Sequence, residues 1–200
     1  MHELILIGAG SVAKAVIAAA DQAGMRVRAL YDDDSSRWGT TLLKVPVVGA
    51  LSEAAKAGLP AVLGLDDPIQ RKAAVDRLNL QWATVVHPSA FINPSCAIGA
   101  GTVILEGAIV QPNVTLGRHV IIEANATVSH DCVVEDFAYL GPGVDLAGSV
   151  RVGEGASFQV GAIVTPNICV GAWAMIGPRS AVIRDVPDHV TVDGLPARPS

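Results

Sequence analysis

The chain has 200 residues, a formal net charge of −5 and no run of Lys or Arg. This mildly acidic balance argues against nucleic acid or an anionic membrane as the main partner. No apolar stretch reaches the roughly 18 residues of a membrane span, and the N-terminus lacks a basic leader, so we expect a cytoplasmic protein that does not enter the membrane.

Residues 1–85 alternate between strand-like and helix-like segments. Apolar runs predict strands at 4–7, 27–31, 61–65 and 82–86. Helices are predicted at 12–20, at 51–57 with Ser52 as its N-cap, and at 68–78. This alternation predicts an α/β domain with a small parallel sheet, a half-Rossmann fold. It is too short for the two halves of a dinucleotide-binding domain.

The first predicted strand ends in a glycine-rich turn with the pattern G-x-G-x-x-A, from Gly8 to Ala13. Such glycines let backbone N–H groups approach a phosphate at a helix N-terminus. Asp32 and Asp33 follow the second strand, where an acid can bind ribose hydroxyls. These residues predict a site for one nucleotide. A glycine turn that binds no ligand is the alternative.

From Val86 to Val186 the chain follows a six-residue repeat. The first residue of each repeat is bulky and apolar, and the residue four positions later is small or β-branched in nearly every repeat. The bulky positions are Val86, Ile92, Ile98, Ile104, Val110, Leu116, Ile122, Val128, Val134, Leu140, Leu146, Val152, Phe158, Val164, Val170, Ile176 and Val182. Neither the period of a helix nor that of a single strand produces this pattern.

The repeat predicts an all-β domain at 86–186 that coils as a parallel β-helix. Each hexapeptide would form one short strand and one turn, and three would close a coil of 18 residues, with coils stacked about 4.8 Å apart. No insertion interrupts the register. The repeat stops at Pro187, and we expect residues 187–200 to form a C-terminal tail.

His130 is the residue of the coil best suited to acid–base chemistry. It lies at an outward corner, with Pro112 18 residues before it and Gly148 18 residues after it. Since stacked residues differ by 18, the absent side chain of Gly148 would leave a notch beside the imidazole. A neutral imidazole can accept a proton near neutral pH, and Asp131 can fix its tautomer. A solvated surface histidine beside an aspartate is the alternative.

One outward face of the predicted coil is apolar. It carries Val103, Ile121, Tyr139, Ser157 and Met175. Such patches mark contacts, so we expect either another subunit or the N-terminal domain to cover it, and we favour a cyclic oligomer. No metal site is expected, because the histidines do not stack across coils and the three cysteines lack ligand spacing.

The order of motifs along the whole chain resembles the sugar O-acyltransferase family of sialic acid O-acetyltransferases. Within it, the chain is similar to the branch of nucleotide-amino-sugar N-acetyltransferases of the bacillosamine and perosamine pathways. The segments that carry the resemblance are the glycine-rich turn, Tyr31-Asp32-Asp33, His87-Pro88-Ser89-Ala90, Ser129-His130-Asp131-Cys132-Val133, Ala147-Gly148 and Gly194-Leu195-Pro196-Ala197-Arg198.

The resemblance implies a left-handed coil and transfer of acetyl from acetyl-CoA to the 4-amino group of a nucleotide-linked 4-amino-4,6-dideoxy sugar. It implies a general base, His130, and an acid that strengthens it, Asp131. It also implies a homotrimer with each active site between adjacent subunits. The residues implied for acetyl-CoA are Tyr139, Gly148, Arg151 and Val160. Those implied for the nucleotide sugar are Gly10, Ser11, Val12, Asp32, Asp33 and Gly64.

Three residues depart from the pattern of relatives. Val12 replaces a histidine of the nucleotide loop, Glu123 replaces an asparagine seven residues before the base, and Tyr139 replaces a histidine near acetyl-CoA. These departures leave the acceptor sugar open, and also whether UDP or GDP carries it. O-acetylation of a sialic-acid-type hydroxyl and a non-catalytic scaffold remain alternative functions.

Overall fold

The computed structural model describes residues 2–199 and divides the chain between Pro88 and Ser89 into two compact units, an N-terminal unit and a β-helix unit. The elements of the N-terminal unit are β1 (His2–Ile7), α1 (Ser11–Gln22), β2 (Met25–Tyr31), a 3-10 helix (Ser35–Arg37), β3 (Thr41–Leu42), β4 (Val45–Gly49), a second 3-10 helix (Leu51–Ala57), β5 (Ala61–Leu63), α2 (Pro68–Arg77) and β6 (Val85–Val86).

The N-terminal sheet has the order β3-β4-β2-β1-β5, in which only the β3–β4 pair is antiparallel. The predicted α/β character is confirmed. Residues 4–7 of β1 are buried on both faces, as expected for a central parallel strand. The β3–β4 hairpin was not predicted. The short helix predicted at residues 51–57 is present as a 3-10 helix, but its N-cap is Ala50, so the assignment of Ser52 as N-cap was wrong.

Almost all strands of the β-helix unit are two residues long. They are β7 (Phe91–Ile92), β8 (Ala97–Ile98), β9 (Val103–Ile104), β10 (Ile109–Val110), β11 (Thr115–Leu116), β12 (Ile121–Ile122), β13 (Thr127–Val128), β14 (Val133–Val134), β15 (Tyr139–Leu140), β16 (Asp145–Leu146), β17 (Arg151–Val152), β18 (Ser157–Phe158), β19 (Ile163–Val164), β20 (Cys169–Val170), β21 (Met175–Ile176), β22 (Ala181–Val182), β23 (Thr191–Asp193) and β24 (Arg198–Pro199).

These strands stack into three sheets, which we call faces 1, 2 and 3 and which are parallel except for the β23–β24 pair. Face 1 runs β7-β10-β13-β16-β19-β22, face 2 runs β8-β11-β14-β17-β20, and face 3 contains β9-β12-β15-β18-β21-β23-β24. Thr127 pairs with Ile109 on one side and Asp145 on the other, each 18 residues away. From β9 to β22 the second residue of every strand is buried. The parallel β-helix predicted from the repeat is therefore confirmed.

The corners of the coil require unusual backbone angles. The third residue after each buried position often has a positive φ, and Asn113, Asp131 and Asn167 lie there at 60–62°. Asn and Asp tolerate this conformation better than other residues with side chains. We call the turn from face 1 to face 2 corner 1, that from face 2 to face 3 corner 2, and that from face 3 back to face 1 corner 3.

Two features of the coil bear on the sequence expectation. Within the segment expected as a tail, Thr191–Asp193 adds a strand to face 3 beside β21. Val103 and Ile121 of the apolar stripe are already buried in the single chain. Met175 at the other end of the stripe is 47% exposed.

Candidate active site

His130 and Asp131 form a hydrogen-bonded pair at corner 1. His130 Nδ1 lies 2.7 Å from Asp131 Oδ2, and both side chains are exposed. Because an ionised carboxylate can only accept, this contact places the proton of a neutral imidazole on Nδ1. The lone pair of Nε2 is then free to accept a proton from an incoming group.

Neighbouring coils hold this pair in place. Asn113, one coil below, donates from Nδ2 to Asp131 Oδ1 over 3.1 Å, and Gln111 Oε1 accepts from the backbone N–H of His130 over 3.2 Å. The hydrogen bond from His130, followed by that from Asn113, lowers the pKa of Asp131 below its ordinary value. Asn113 was not predicted from the sequence, although its spacing of 18 residues from Asp131 is a signal that identifies it.

Gly148 lies against the imidazole from the coil above. A Cβ atom added to Gly148 would stand 2.7 Å from both Nε2 and Cε1 of His130. Real Cβ atoms do not approach so closely, so any side chain at this position displaces the ring. The notch beside His130 that the 18-residue spacing predicts is therefore confirmed. It leaves Nε2 open to a reacting group.

Tyr139 and Glu123, two of the departures from relatives, contact each other. The Tyr139 hydroxyl donates to Glu123 Oε1 over 3.4 Å. Glu123 is only 8% exposed, and burial raises the pKa of its carboxyl above the ordinary value although the Ala124 amide and Tyr139 donate to it. A buried acid therefore occupies corner 3, at a position where the sequence analysis noted only a missing asparagine.

The four residues implied for acetyl-CoA lie on different parts of the coil. Gly148 is at corner 1 with His130, and Arg151 opens the next strand, β17 of face 2. Tyr139 opens β15 of face 3, and Val160 is exposed at corner 3. Corners 1 and 3 border the same face, face 1. One chain thus brings His130, Asp131 and Gly148 together at corner 1, with Val160 at the opposite edge of face 1 and Tyr139 on face 3.

In the N-terminal unit the glycine-rich turn is tied to the end of β2. The Ala9 backbone N–H donates to Asp32 Oδ2 over 2.7 Å, and Asp34 N–H donates to Asp32 Oδ1 over 2.8 Å. Arg37 donates to the Ala9 carbonyl. Gly8 has a φ of 97°, which L-residues with side chains rarely adopt. Asp32 therefore holds the glycine-rich turn through Oδ2 and the segment after β2 through Oδ1.

The other predicted nucleotide residues lie at the start of α1 and beside it. Gly10 is its N-cap and provides no side-chain hydrogen bond, and Ser11 is exposed. Val12 is buried, so its side chain is unavailable to a ligand. At Gly64 a Cβ would lie 3.0 Å from Ala13 Cα. Gly64 therefore allows α1 to pack closely on the sheet, a role the sequence analysis did not assign.

Asp33 has two partners of its own. Its Oδ1 accepts from the Leu51 backbone N–H over 3.0 Å, and its Oδ2 accepts from Arg77 Nη2 over 2.9 Å. Burial acts to raise its pKa, but the bonds from Arg77 and Leu51 and the Arg77 charge together lower it. Arg77, at the end of α2, was missed because 44 residues separate it from Asp33.

Known proteins match this chain both within the six-residue repeat and over its whole length. Residues 95–130 match the family model described as bacterial transferase hexapeptide (six repeats). A histidine-to-asparagine mutant of perosamine N-acetyltransferase from Caulobacter crescentus, in complex with CoA and GDP-perosamine, is 34% identical. That match covers 100% of this chain and 97% of the other, with a TM-score of 0.92.

The chain belongs to the hexapeptide transferase family.

Two other comparisons extend this assignment. The acetyltransferase domain of PglB from Neisseria gonorrhoeae, in complex with acetyl coenzyme A, is 30% identical over 100% of this hexapeptide transferase and 99% of that chain, with a TM-score of 0.92. An acyl-[acyl-carrier-protein]–UDP-N-acetylglucosamine O-acyltransferase from Pseudomonas putida is 36% identical over 107 residues, which are 50% of this chain and 42% of that protein. The chain thus spans less than half the length of this curated relative.

Over residues 2–199 no helix is long and apolar enough to cross a membrane. The same range contains no group of three or more His, Cys, Asp or Glu side chains placed to hold a metal ion.

Proposed function

We propose that this hexapeptide transferase moves acetyl from acetyl-CoA to the 4-amino group of a nucleotide-linked 4-amino-4,6-dideoxy sugar. The observation that carries the proposal is the His130–Asp131 pair with Nε2 facing the notch at Gly148. The full-length likeness to a perosamine N-acetyltransferase that binds CoA and GDP-perosamine supports this choice of substrates. We also propose that the enzyme is cytoplasmic.

His130 acts as the general base in this proposal. Its Nε2 accepts a proton from the sugar amine as the amine attacks the thioester carbonyl, while Asp131 holds the imidazole through Nδ1. His130 then returns the proton to the departing CoA sulfur. Backbone N–H groups at the corner would stabilise the negative charge that develops on the carbonyl oxygen. A base of this kind contributes about 10²- to 10⁴-fold to the rate.

We further propose that the enzyme is a homotrimer of left-handed coils with face 1 at the threefold axis. Face 1 carries large apolar side chains, Phe91, Ile109 and Ile163, that are between 40% and 55% exposed. In such a trimer corner 1 of one copy meets corner 3 of the next. Val160 of the neighbouring copy would then lie across from His130 and complete the acetyl-CoA site, which a single chain leaves divided.

An assay of thiol release from acetyl-CoA tests the activity. The purified enzyme is incubated with UDP- and GDP-linked 4-amino-4,6-dideoxy sugars, and with sialic acid as a hydroxyl acceptor. We expect thiol release with at least one amino sugar and formation of its N-acetyl product. Thiol release with sialic acid alone would replace the proposal by O-acetylation. If none of the acceptors gives thiol release, both functions are contradicted.

A further inference from the structure

A cavity of about 270 Å³ opens beside the glycine-rich turn of the N-terminal unit. Its lining consists of Gly8, Asp32, Asp33, Leu51, Leu65, Gln70, Ala73, Ala74 and Arg77. The aliphatic members of this lining offer apolar walls suited to a flat ring, whereas Asp33, Gln70 and Arg77 offer a polar edge. Sites for small ligands combine apolar walls with a few polar groups in this way. A nucleobase has the corresponding shape, with flat apolar faces and a hydrogen-bonding edge.

The polar edge presents acceptors and donors in a fixed order. Asp33 Oδ1 and Oδ2 each accept one hydrogen bond, from Leu51 N–H and Arg77 Nη2. Since a carboxylate has about four acceptor sites, both oxygens can accept a second bond. The Arg77 guanidinium has five N–H donors and remains charged. The lowered pKa of Asp33 keeps its carboxylate ionised at neutral pH.

We infer that this cavity selects guanine, so that the nucleotide carrying the sugar is GDP. Guanine places two adjacent donors, N1–H and the 2-amino group, beside the acceptor O6. The two donors match the two oxygens of Asp33, and O6 lies next to them for Arg77. The inference rests on the proposed function, because it names the base of the proposed nucleotide sugar.

Uracil does not satisfy the same edge. Its single donor, N3–H, lies between two carbonyl oxygens, so one oxygen of Asp33 would face a carbonyl without a hydrogen between them. An unsatisfied acceptor pair of this kind costs binding free energy. A bidentate contact between a side chain and a base discriminates against the wrong base by roughly ten- to a hundredfold.

Calorimetric titration of the full chain with GDP and UDP tests the inference. We expect GDP to bind at least about tenfold more tightly. Asp33→Asn keeps an acceptor oxygen but replaces the other with an NH₂ donor. It should weaken GDP by about ten- to a hundredfold and strengthen both UDP and xanthosine diphosphate, because a carbonyl beside the ring N–H of each of these bases accepts from the new amide.

Asp76→Asn is the matched control, since it makes the same change on α2 outside the cavity lining and should leave all three affinities unchanged. If Asp33→Asn does not fold, Arg77→Gln should still weaken GDP more than UDP. Tighter binding of UDP than of GDP by the native chain, or an equal loss of both affinities in Asp33→Asn, would overturn the inference and leave the proposed acetyl transfer standing. Binding of neither nucleotide would instead contradict the proposed nucleotide-sugar substrate.

Discussion

The space above the His130 imidazole exists because Gly148 has no side chain, and a Cβ there would stand 2.7 Å from Nε2. Gly148→Ala should therefore displace the ring while leaving the buried strands of the coil untouched. A misplacement of about 1 Å costs roughly a hundredfold in rate, so we expect kcat/KM to fall by about that factor. Far-UV circular dichroism and the melting temperature serve as controls. An alanine variant with near wild-type activity would show that Nε2 does not take part.

The losses of activity caused by substituting His130 and Asp131 should not be additive. His130→Ala should lower kcat by about 10²- to 10⁴-fold, and Asp131→Asn should lower it less, because the base is retained without its anionic partner. If Asp131 acts only through His130, adding Asp131→Asn to His130→Ala should have almost no further effect. Steady-state kinetics of the two single variants and the double variant decide this. Independent, multiplicative losses would contradict the assigned roles.

The buried carboxyl of Glu123 should make the free energy of unfolding depend on pH. Since burial raises its pKa above the ordinary 4.5, the folded chain binds this proton more tightly than the unfolded chain. Its contribution to stability is therefore greatest below pH 4.5 and is lost as the pH rises through the folded-state pKa. Glu123→Gln removes this dependence and keeps an acceptor for Tyr139.

Melting temperatures of Glu123→Gln and the native chain, measured from acidic to neutral pH, test this sign. The melting temperature of Glu123→Gln should exceed that of the native chain by an amount that grows with pH. Each 1 kcal/mol of difference in the free energy of unfolding corresponds to about 2–4 °C in a chain of this size. Tyr139→Phe removes a bond that lowers the folded-state pKa, so its loss of stability should continue to a higher pH. A difference between Glu123→Gln and the native chain that stays constant with pH would refute the assignment.

The proposed trimer places Ile109 and Ile163 in a buried interface. Replacing either with Glu would bury a charge without a partner, which is strongly unfavourable. We expect light scattering to show monomers, and activity at low protein concentration to fall by about tenfold or more. Met175→Glu, on face 3 and 47% exposed, is the matched control and should leave both unchanged. A monomeric native chain with full activity would exclude the shared site.

The repeat makes one class of contact predictable and leaves others hidden. Because the coil advances by 18 residues, the neighbours of His130 above and below follow from counting alone, and Asn113 beneath Asp131 follows in the same way. The Glu123–Tyr139 bond spans 16 residues and depends on how a long side chain reaches along the corner, which the period does not specify.

Contacts in the N-terminal unit have no such period. The glycine-rich turn and the acids after β2 were found from local pattern, whereas the Asp33–Arg77 pair joins a strand end to a helix end through the tertiary fold. The sequence pattern also left open what buries Val103 and Ile121. A single strand pattern could not distinguish covering within the chain from covering by another subunit.

The backbone angle of Asp131 has a consequence for how such sites arise. Corner 1 needs a residue that tolerates a positive φ, and Asn113, Asp131, Ser149 and Asn167 meet this need in successive coils. The side chains that suit the turn are also ones that hold an adjacent imidazole. A histidine appearing before any of them would find an acceptor already in place, and a glycine one coil above would complete the arrangement. In each of these coils, two or three substitutions at corner 1 would therefore be enough to form a reactive pair, with the fold itself unchanged.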